Sequence, residues 1–294
     1  MKRQFGLITV LVLVATFVFG SAGTVGAAGT TVVVTPTNTQ GWSTADTRPG
    51  GAVTFVNGDA PTGGGTGSLQ LTTTSATTAK AQYLHDASTP LVSVTELSYY
   101  TKQVSASFSG GDASYQLPVC LDGVSGTVCN GFTTFVFEPY ENGTVVPGAW
   151  QYWNVAAGHF WSSRTYSVGT CKVDKSQGAF VYTLSQIKAM CPNAVVTGFG
   201  VNIGSNNPSY NVKADLVNFN GTTYNFELYS VPTDKNQCKD GGYKTFNPPT
   251  GPFKNQGQCV SYVENHETGQ HGDGGDGGNG HHNDGGDDQG NGND

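Results

Sequence analysis

The chain has 294 residues, which is enough for one large all-β domain or two small domains with a sizeable buried core. Only 12% of the residues are charged and 42 are glycine, so a coiled coil is excluded and long charged helices are not expected. The formal net charge is −7, but residues 1–264 are neutral overall, because the seven surplus acidic residues lie in residues 265–294. The composition therefore predicts no nucleic-acid partner.

The N-terminus has the features of a secretory signal. Lys2 and Arg3 precede a largely apolar stretch over residues 5–19, and small residues follow as far as Ala28. A membrane anchor is the alternative, but a spanning helix needs about 20 apolar residues. We therefore predict a signal peptide over residues 1–28, a secreted mature protein, and no stable membrane insertion after cleavage.

Six cysteines in a secreted chain predict disulfides, because disulfides form and persist in oxidising compartments. Zinc is the alternative, but no CxxC motif occurs and no His stands at ligand spacing beside a cysteine. Pairing between sequence neighbours is the simplest of the connectivities that six cysteines allow. The predicted pairs are Cys120–Cys129, Cys171–Cys191 and Cys238–Cys259.

Ten short runs of strand-forming residues alternate with Gly, Pro, Asn and Asp, which is typical of an antiparallel β-sandwich or jelly roll. We predict this all-β domain over residues 30–231. The predicted strands are 30–35, 52–56, 68–74, 91–101, 114–121, 133–140, 150–155, 195–204, 211–219 and 222–229.

Two segments are predicted to be helical instead. Residues 183–190 form one or two turns with Thr183 or Ser185 as the cap, and residues 254–263 form a short helix that starts at Asn255.

Two further units follow the sandwich. Residues 234–264 are too few for an independent core, so we expect the Cys238–Cys259 disulfide to hold this C-terminal module together. Residues 265–294 contain no large apolar side chain and are predicted to be a disordered, acidic, Gly/Asp/His-rich tail. Loose chelation of a metal ion by His281 and His282 is an alternative to a purely solubilising role.

Four segments resemble secreted bacterial β-sandwich proteins related to carbohydrate-binding modules. The segments are GGGTGSLQLTT, TPLVSVTELSYYT, FVFEPYENGTVVPGAWQYWNV and VKADLVNFNGTTYNFEL. The resemblance covers roughly residues 36–229 and implies a jelly-roll fold. CKDGGYKTF and FKNQGQCVSYV closely resemble a Cys-bracketed C-terminal module that is found on exported bacterial proteins and has no assigned function.

A cluster of aromatic residues is the best candidate for a ligand-binding surface, because the C–H face of a sugar ring packs on an aromatic face. The candidates are Tyr140, Trp150, Tyr152 and Trp161. On one strand Trp150 and Tyr152 share a face and Trp153 takes the other. We expect Trp153 in the core, with Trp150 and Tyr152 more exposed, although aromatic residues of this kind are also common core residues of β-sandwiches.

The acidic residues and histidines of the chain do not form a pattern that is typical of an enzyme active site. Glu138 and Glu141 are the best carboxylate pair, but residues three apart on a strand point to opposite faces, and Pro139 should end the strand. His85 and His159 are the bases of the folded part, and no GxSxG elbow surrounds a serine.

Asp215 is the metal candidate. In the jelly-roll domains that this chain resembles, an aspartate near this position helps to bind a structural Ca²⁺. One carboxylate cannot satisfy a cation that takes six to eight oxygen ligands. Asp46 or Asp59 and backbone carbonyls would have to complete the site. The alternative is a solvated edge residue, and we expect no other cofactor.

The sequence therefore predicts an exported, non-catalytic protein that binds a polysaccharide or cell-surface glycan through an aromatic patch. A structural envelope-associated protein is the first alternative, and a glycoside hydrolase or lyase is the second.

Overall fold

The structure is a computed structural model that describes residues 29–267 except 177, 180 and 249. The predicted signal peptide and most of the predicted tail lie outside the described residues. Residues 265–267 are described, and they form the end of a helix rather than the start of the tail.

Strands make up most of the regular structure. Within the described residues they are β1 (Thr30–Val34), β2 (Trp42–Ser43), β3 (Gly51–Asn57), β4 (Gly67–Thr73), β5 (Ala81–Pro90), β6 (Leu97–Ser105), β7 (Ser114–Cys120), β8 (Val124–Ser125), β9 (Val128–Cys129), β10 (Phe132–Phe137), β11 (Gln151–Asn154), β12 (His159–Ser162), β13 (Tyr166–Val168), β14 (Cys171–Val173), β15 (Tyr182–Thr183), β16 (Val195–Ile203), β17 (Asn211–Phe219) and β18 (Thr222–Phe226). The α-helices are α1 (Pro139–Asn142), α2 (Leu184–Met190) and α3 (Gln256–Glu267).

Two sheets, each with seven strands among the described residues, form a β-sandwich. In the first sheet β17 is central: it pairs with β6 on one side and with β4 and β18 on the other, while β11, β3 and β1 extend the sheet. The second sheet has the order β15-β12-β10-β7-β16-β5-β2. All pairings within the sheets are antiparallel except that of β1 with β18. The predicted all-β antiparallel sandwich is confirmed.

Alternating side chains of both sheets form one shared core. Leu69 and Leu71 of β4 face inward in the first sheet, and Tyr115 and Leu117 do so in the second; all four are fully buried. Trp42 of β2 joins the two sheets at one end, where its ring lies 5.0 Å from that of Phe226. Each sheet therefore commits one face to the core and leaves the other for solvent or a ligand.

Apart from strands of two or three residues that were not predicted, the observed strands differ from the predicted ones at three main places. Residues 91–93 form a 3₁₀ turn, and the predicted strand begins only at Leu97. Strands β5 and β12 were not predicted, because His85, Asp86 and Pro90 weaken the strand pattern of β5 and only four residues make β12. Pairing with β16 and β2 on its two sides holds β5 in the sheet despite this composition.

Each of the two predicted helices begins directly after a predicted capping residue, which is Thr183 for α2 and Asn255 for α3. The Thr183 hydroxyl accepts a hydrogen bond from the Gln186 N–H, and the Gln186 side chain reaches back to the Thr183 N–H, which completes a capping box. Asn255 Oδ1 accepts a hydrogen bond from the Gln258 N–H at the start of α3. None of the helices in the described residues is long and apolar enough to cross a membrane.

The three predicted disulfides are present and leave no free cysteine among the described residues. In the C-terminal module the buried residues Cys238, Cys259 and Val263 form a small apolar cluster separate from the sandwich core. Ser230 and Asn247 exchange backbone hydrogen bonds and so join the module to the end of the sandwich. The module therefore depends on its own disulfide for its internal packing.

Removing this disulfide should affect the module alone. In a Cys238→Ser/Cys259→Ser variant we expect the thermal midpoint of the sandwich to stay within about 1 °C, because no sandwich core contact is lost. Limited proteolysis followed by mass spectrometry should show cleavage within residues 234–264. The matched Cys120→Ser/Cys129→Ser variant should lower the midpoint, because Cys120 is buried at the end of β7. A large destabilisation in the first variant would contradict the independence of the module.

Candidate functional site

The structure places the predicted aromatic candidates on two opposite faces of the sandwich. Trp153 of β11 points into the core, is 7% exposed, and donates from Nε1 to Thr101 Oγ1 at 2.8 Å. Tyr152 points outward, is 55% exposed, and packs against Tyr100 with ring centroids 5.2 Å apart. The expected alternation of Tyr152 and Trp153 is therefore confirmed.

Trp150 lies on the same outer face as Tyr152 but is held by a charged cluster. Its Nε1 donates to Asp59 Oδ1 at 2.9 Å, and the Asp59 carboxylate also accepts from Lys102 at 3.0 Å and Lys213 at 2.6 Å. Burial by itself would raise the pKa of Asp59, but the hydrogen bonds from Lys213, Lys102 and Trp150 together lower it to about 2. The charged and polar groups of this cluster are thus paired with one another by hydrogen bonds and ion pairs.

The outer face of the second sheet has a cavity of about 390 Å³ across its central strands. Trp161 of β12 lies beside Val136 of β10, which lies beside Gln116 of β7. Asn202 of β16 also lines the cavity. Trp161 provides an aromatic wall, and the half-buried amides of Gln116 and Asn207 provide hydrogen-bonding groups, whereas the Asn202 amide is 4% exposed and donates to Gln82. A mixture of one aromatic face and several amides suits a polar ligand with an apolar face, such as a sugar.

A second cavity of about 310 Å³ adjoins the first, because Trp161, Glu138 and Asn207 line both. It brings Tyr140 together with Trp161, as the sequence predicts. Tyr210 contributes a further aromatic ring that the sequence analysis does not identify, because it lies in the loop before β17 without a motif around it. The structure does not bring Trp150 or Tyr152 to either of these cavities.

Two carboxyl groups line the smaller cavity: Asp112 is buried and Glu138 is half-buried. Glu138 comes directly after β10, Pro139 ends that strand as predicted, and Glu138 Oε1 accepts from Trp161 Nε1 at 3.4 Å. Burial raises the pKa of Glu138 to about 8. Burial likewise raises the pKa of Asp112 to about 7, although its carboxylate accepts hydrogen bonds from Thr101 Oγ1 and the Ala113 N–H. The carboxyl that shares a cavity with Glu138 is therefore Asp112 and not Glu141, which does not line it.

A separate cavity of about 500 Å³ lies on the first sheet beside Tyr152. Its lining includes Glu96, Asn154 and Asn218, and Tyr152 is its aromatic residue. The convergence of aromatic and polar side chains is therefore greater around Trp161 than around Tyr152.

Asp215 is fully buried and is not the solvated edge residue that the sequence left open. Its Oδ1 accepts from the Phe226 N–H at 2.8 Å, but its Oδ2 has no hydrogen-bond partner, and neither has the buried Oδ1 of Asn225. Gly64 passes so close that a Cβ atom there would lie 2.5 Å from Asp215 Oδ2. Burial raises the pKa of Asp215 well above its usual range.

These groups suit a hard cation that takes oxygen ligands, since two buried oxygens lack partners beside a closely approaching backbone. No three His, Cys, Asp or Glu side chains within the described ranges converge on a metal position. Asp59 is engaged by two lysines, and the charge of Asp46 acts on Lys80 rather than on Asp215. The charge of Glu227 does act on Asp215, but its two carboxylate oxygens accept hydrogen bonds from the Thr66 N–H and Oγ1. Asn225 Oδ1 and backbone oxygens are the other donors.

Comparison with known proteins found solved structures that are similar to this chain, but it assigns the chain to no family. No protein-family model matches the chain, and no curated protein does. The structure is similar to the family 11 carbohydrate-binding module from Clostridium thermocellum in complex with a β-1,3-1,4-mixed-linked tetrasaccharide, at 13% identity and a TM-score of 0.36, over 62% of this chain and 89% of that one. It is also similar to the family 11 module of the cellulosomal cellulase Lic26A-Cel5E of the same organism, at 10% identity and a TM-score of 0.35, over 62% and 88% of the two chains.

The raised pKa values of Glu138 and Asp112 predict that stability falls as pH rises. The pKa of Glu138 is higher in the folded protein, about 8, than its ordinary value of 4.5, so the folded state binds the proton more tightly. The stabilisation is complete below the ordinary value and is lost as pH rises towards 8. In Glu138→Gln the thermal midpoint at pH 8.5 should exceed that of wild type by at least about 2–4 °C, whereas at pH 4 the two should be similar.

Glu141→Gln provides the matched control, because Glu141 is an exposed carboxylate three residues away on α1. Its midpoint should follow that of wild type at every pH. Asp112 should leave a smaller residual pH dependence in Glu138→Gln. An unchanged pH profile in Glu138→Gln would show that Glu138 is already ionised at neutral pH.

Proposed function

We propose that this protein is an exported, non-catalytic glycan-binding protein whose site comprises the two cavities around Trp161. The observation that carries the proposal is the position of Trp161, whose ring lines both cavities while Gln116 and Asn202 line the larger one and Tyr140 the smaller. An aromatic ring accepts the C–H face of a sugar, and side-chain amides satisfy its hydroxyl groups. The combined volume suits more than one sugar ring.

The face that carries Trp150 and Tyr152 is the less favourable place for a ligand. The indole N–H of Trp150 donates to Asp59, whose carboxylate also pairs with Lys102 and Lys213, and Trp150 lines neither the cavities around Trp161 nor the cavity beside Tyr152. Tyr152 remains exposed and could act alone. A single exposed ring supplies less binding surface than Trp161, Tyr140 and Tyr210 together.

Export is supported by the chemistry of the cysteines. Three disulfides fit a protein that folds in an oxidising compartment. The envelope-associated alternative predicts the same disulfides but no ligand cavity, so the conjunction of aromatic and polar groups around Trp161 favours binding.

One observation favours a glycoside hydrolase as the second candidate. Glu138 and Asp112 are two carboxyl groups at one cavity, and the raised pKa of Glu138 is what a general acid requires. Asp112, however, is 5% exposed, and both of its oxygens accept hydrogen bonds from the protein. It is therefore poorly placed to act as a nucleophile or to activate water, and binding is the better-supported function.

We also propose a structural Ca²⁺ at Asp215, with Asp215 Oδ2, Asn225 Oδ1 and backbone oxygens as ligands. Such an ion would stabilise the charged form of a carboxyl whose pKa burial otherwise raises. It would join the loop before β4 to β17 and the end of β18, and would have no part in binding the glycan.

Calcium should therefore stabilise the wild-type protein. At a hundredfold excess of Ca²⁺ over its Kd we expect the thermal midpoint to rise by about 5 °C, and chelation with EDTA should reverse the rise. Asp215→Asn should lose the response, whereas Asp59→Asn should keep it, because Asp59 is engaged by lysines. If Ca²⁺ has no effect on wild type, Asp215 is a protonated buried carboxyl and holds no ion.

Glycan binding is tested by affinity electrophoresis in gels that contain neutral or acidic polysaccharides. The wild-type protein should be retarded by at least one polymer. Trp161→Ala should weaken that binding by about tenfold or more, because it removes the central aromatic ring. Tyr152→Ala is the matched control, since it removes an exposed aromatic ring from the opposite sheet and should leave retardation unchanged.

Each other outcome identifies a different function. Loss of binding in Tyr152→Ala but not in Trp161→Ala would assign the ligand to the first sheet. Absence of retardation across the panel would favour the envelope-associated protein. Release of reducing sugar that disappears in Glu138→Gln would identify a hydrolase.

A further inference from the structure

Three cations gather at the larger cavity at Trp161, although residues 29–264 contain 12 basic and 14 acidic residues and so have a slightly negative formal charge. Arg48, Lys80 and Arg164 all line it. The Arg48 N–H donates to the Lys80 carbonyl at 2.9 Å, so these two cations are neighbours at the start of β5. Arg164 follows β12, and strands β10, β7 and β16 lie between it and the other two. Positive charge therefore stands at both ends of the cavity.

The three cations are not neutralised by ion pairs. In the part of the chain that the structure describes, the salt bridges involve Lys102, Lys213 and Lys235 and none of the cavity cations. The guanidinium group of Arg164 lies over the ring of Phe132, 5.0 Å from its centre, and Arg48 Nη1 donates to Ser205 Oγ at 3.5 Å. These contacts orient the two guanidinium groups without cancelling their charge.

The acidic groups that face the cations are few. Glu138 lines the same cavity, but burial raises its pKa to about 8, so it holds its proton at neutral pH. Asp46, which does not line the cavity, acts electrostatically on Lys80 and offsets part of its charge. At pH 7 the cavity is therefore positive, although the whole chain has a formal net charge of −7.

We propose that this cavity selects an acidic polysaccharide whose sugars carry carboxylates, with carboxylates bound by Arg48 and Arg164 and a sugar ring packed on Trp161. A guanidinium group binds a carboxylate through two parallel hydrogen bonds, which gives this pairing both strength and direction. The positions of the two arginines at opposite ends suit a chain that crosses the strands and presents more than one acidic sugar. The proposal rests on the glycan-binding function proposed above and specifies its substrate class.

The experiment compares polygalacturonate with its methyl ester, which has the same backbone without the free carboxylates. Isothermal titration of the full chain should show polygalacturonate binding at least about tenfold more tightly than the ester. Binding should weaken as NaCl rises to about 0.5 M, because salt screens exposed charges. Alginate serves as a second polyuronate and dextran sulfate as a polymer with sulfate in place of carboxylate.

Two charge-matched variants locate the effect. Arg48→Gln/Arg164→Gln should weaken polygalacturonate binding by about tenfold or more, since both guanidinium forks are lost. Lys172→Gln/Lys254→Gln removes the same charge from exposed positions outside the cavity and should leave binding unchanged. Circular dichroism should show that both variants remain folded.

The remaining outcomes separate this inference from the proposed function. Equal binding of the acid and the ester, or an equal loss in both variants, would overturn the selection for carboxylates and leave glycan binding intact. Preference for dextran sulfate over both polyuronates would overturn it in favour of sulfate. Binding to no polymer, neutral or acidic, would contradict the glycan-binding function itself.

Discussion

The alternation of side chains along each strand is the constraint on which the rest of this structure depends. Because successive residues point to opposite faces, each sheet must give one face to the common core and expose the other. Trp153 and Tyr152 are adjacent in sequence, yet one is buried against Thr101 and the other is more than half exposed. The same rule separates Phe160, which is fully buried, from Trp161, which lines the cavities.

The cavities combine features that cost stability with features that suit recognition. Glu138 is half-buried beside Trp161 and shares a cavity with Asp112, and desolvation raises the pKa of its carboxyl to about 8, whereas an exposed glutamate is charged at neutral pH. A neutral carboxyl donates a hydrogen bond and does not repel an acidic ligand. Desolvation of Glu138 therefore costs stability, but because its carboxyl is neutral it does not cancel the positive charge of Arg48 and Arg164, which line the same cavity.

The charge of the whole chain is a poor guide to the charge of its candidate site. Residues 29–264 contain 12 basic and 14 acidic residues, but the fold gathers three cations at one cavity and pairs Lys102 and Lys213 with Asp59 at the opposite face. One sheet therefore presents paired ions, and the other presents three cations that form no salt bridge within the described residues. Only the second arrangement leaves charge available for a ligand.

The sequence by itself determined the features that depend on neighbouring residues. Strand alternation, turn residues and short cysteine spacings predicted the β-sandwich and its three disulfides, and the caps at Thr183 and Asn255 marked two helices. Local sequence patterns are sufficient to predict the strands, the helix caps and the disulfides, because each of these depends on residues that are close together in the sequence. The sequence also singled out Trp161 and Tyr140, although without their neighbours.

Only the tertiary structure decided which residues meet. It separated Trp150 and Tyr152 from Trp161, made Asp112 rather than Glu141 share a cavity with Glu138, and kept β5 in the second sheet against its composition. It also placed Arg48 and Arg164, which are more than a hundred residues apart in sequence, at opposite ends of one cavity. These placements follow from the order of strands within the sheets, which long-range pairing fixes and which no local pattern records.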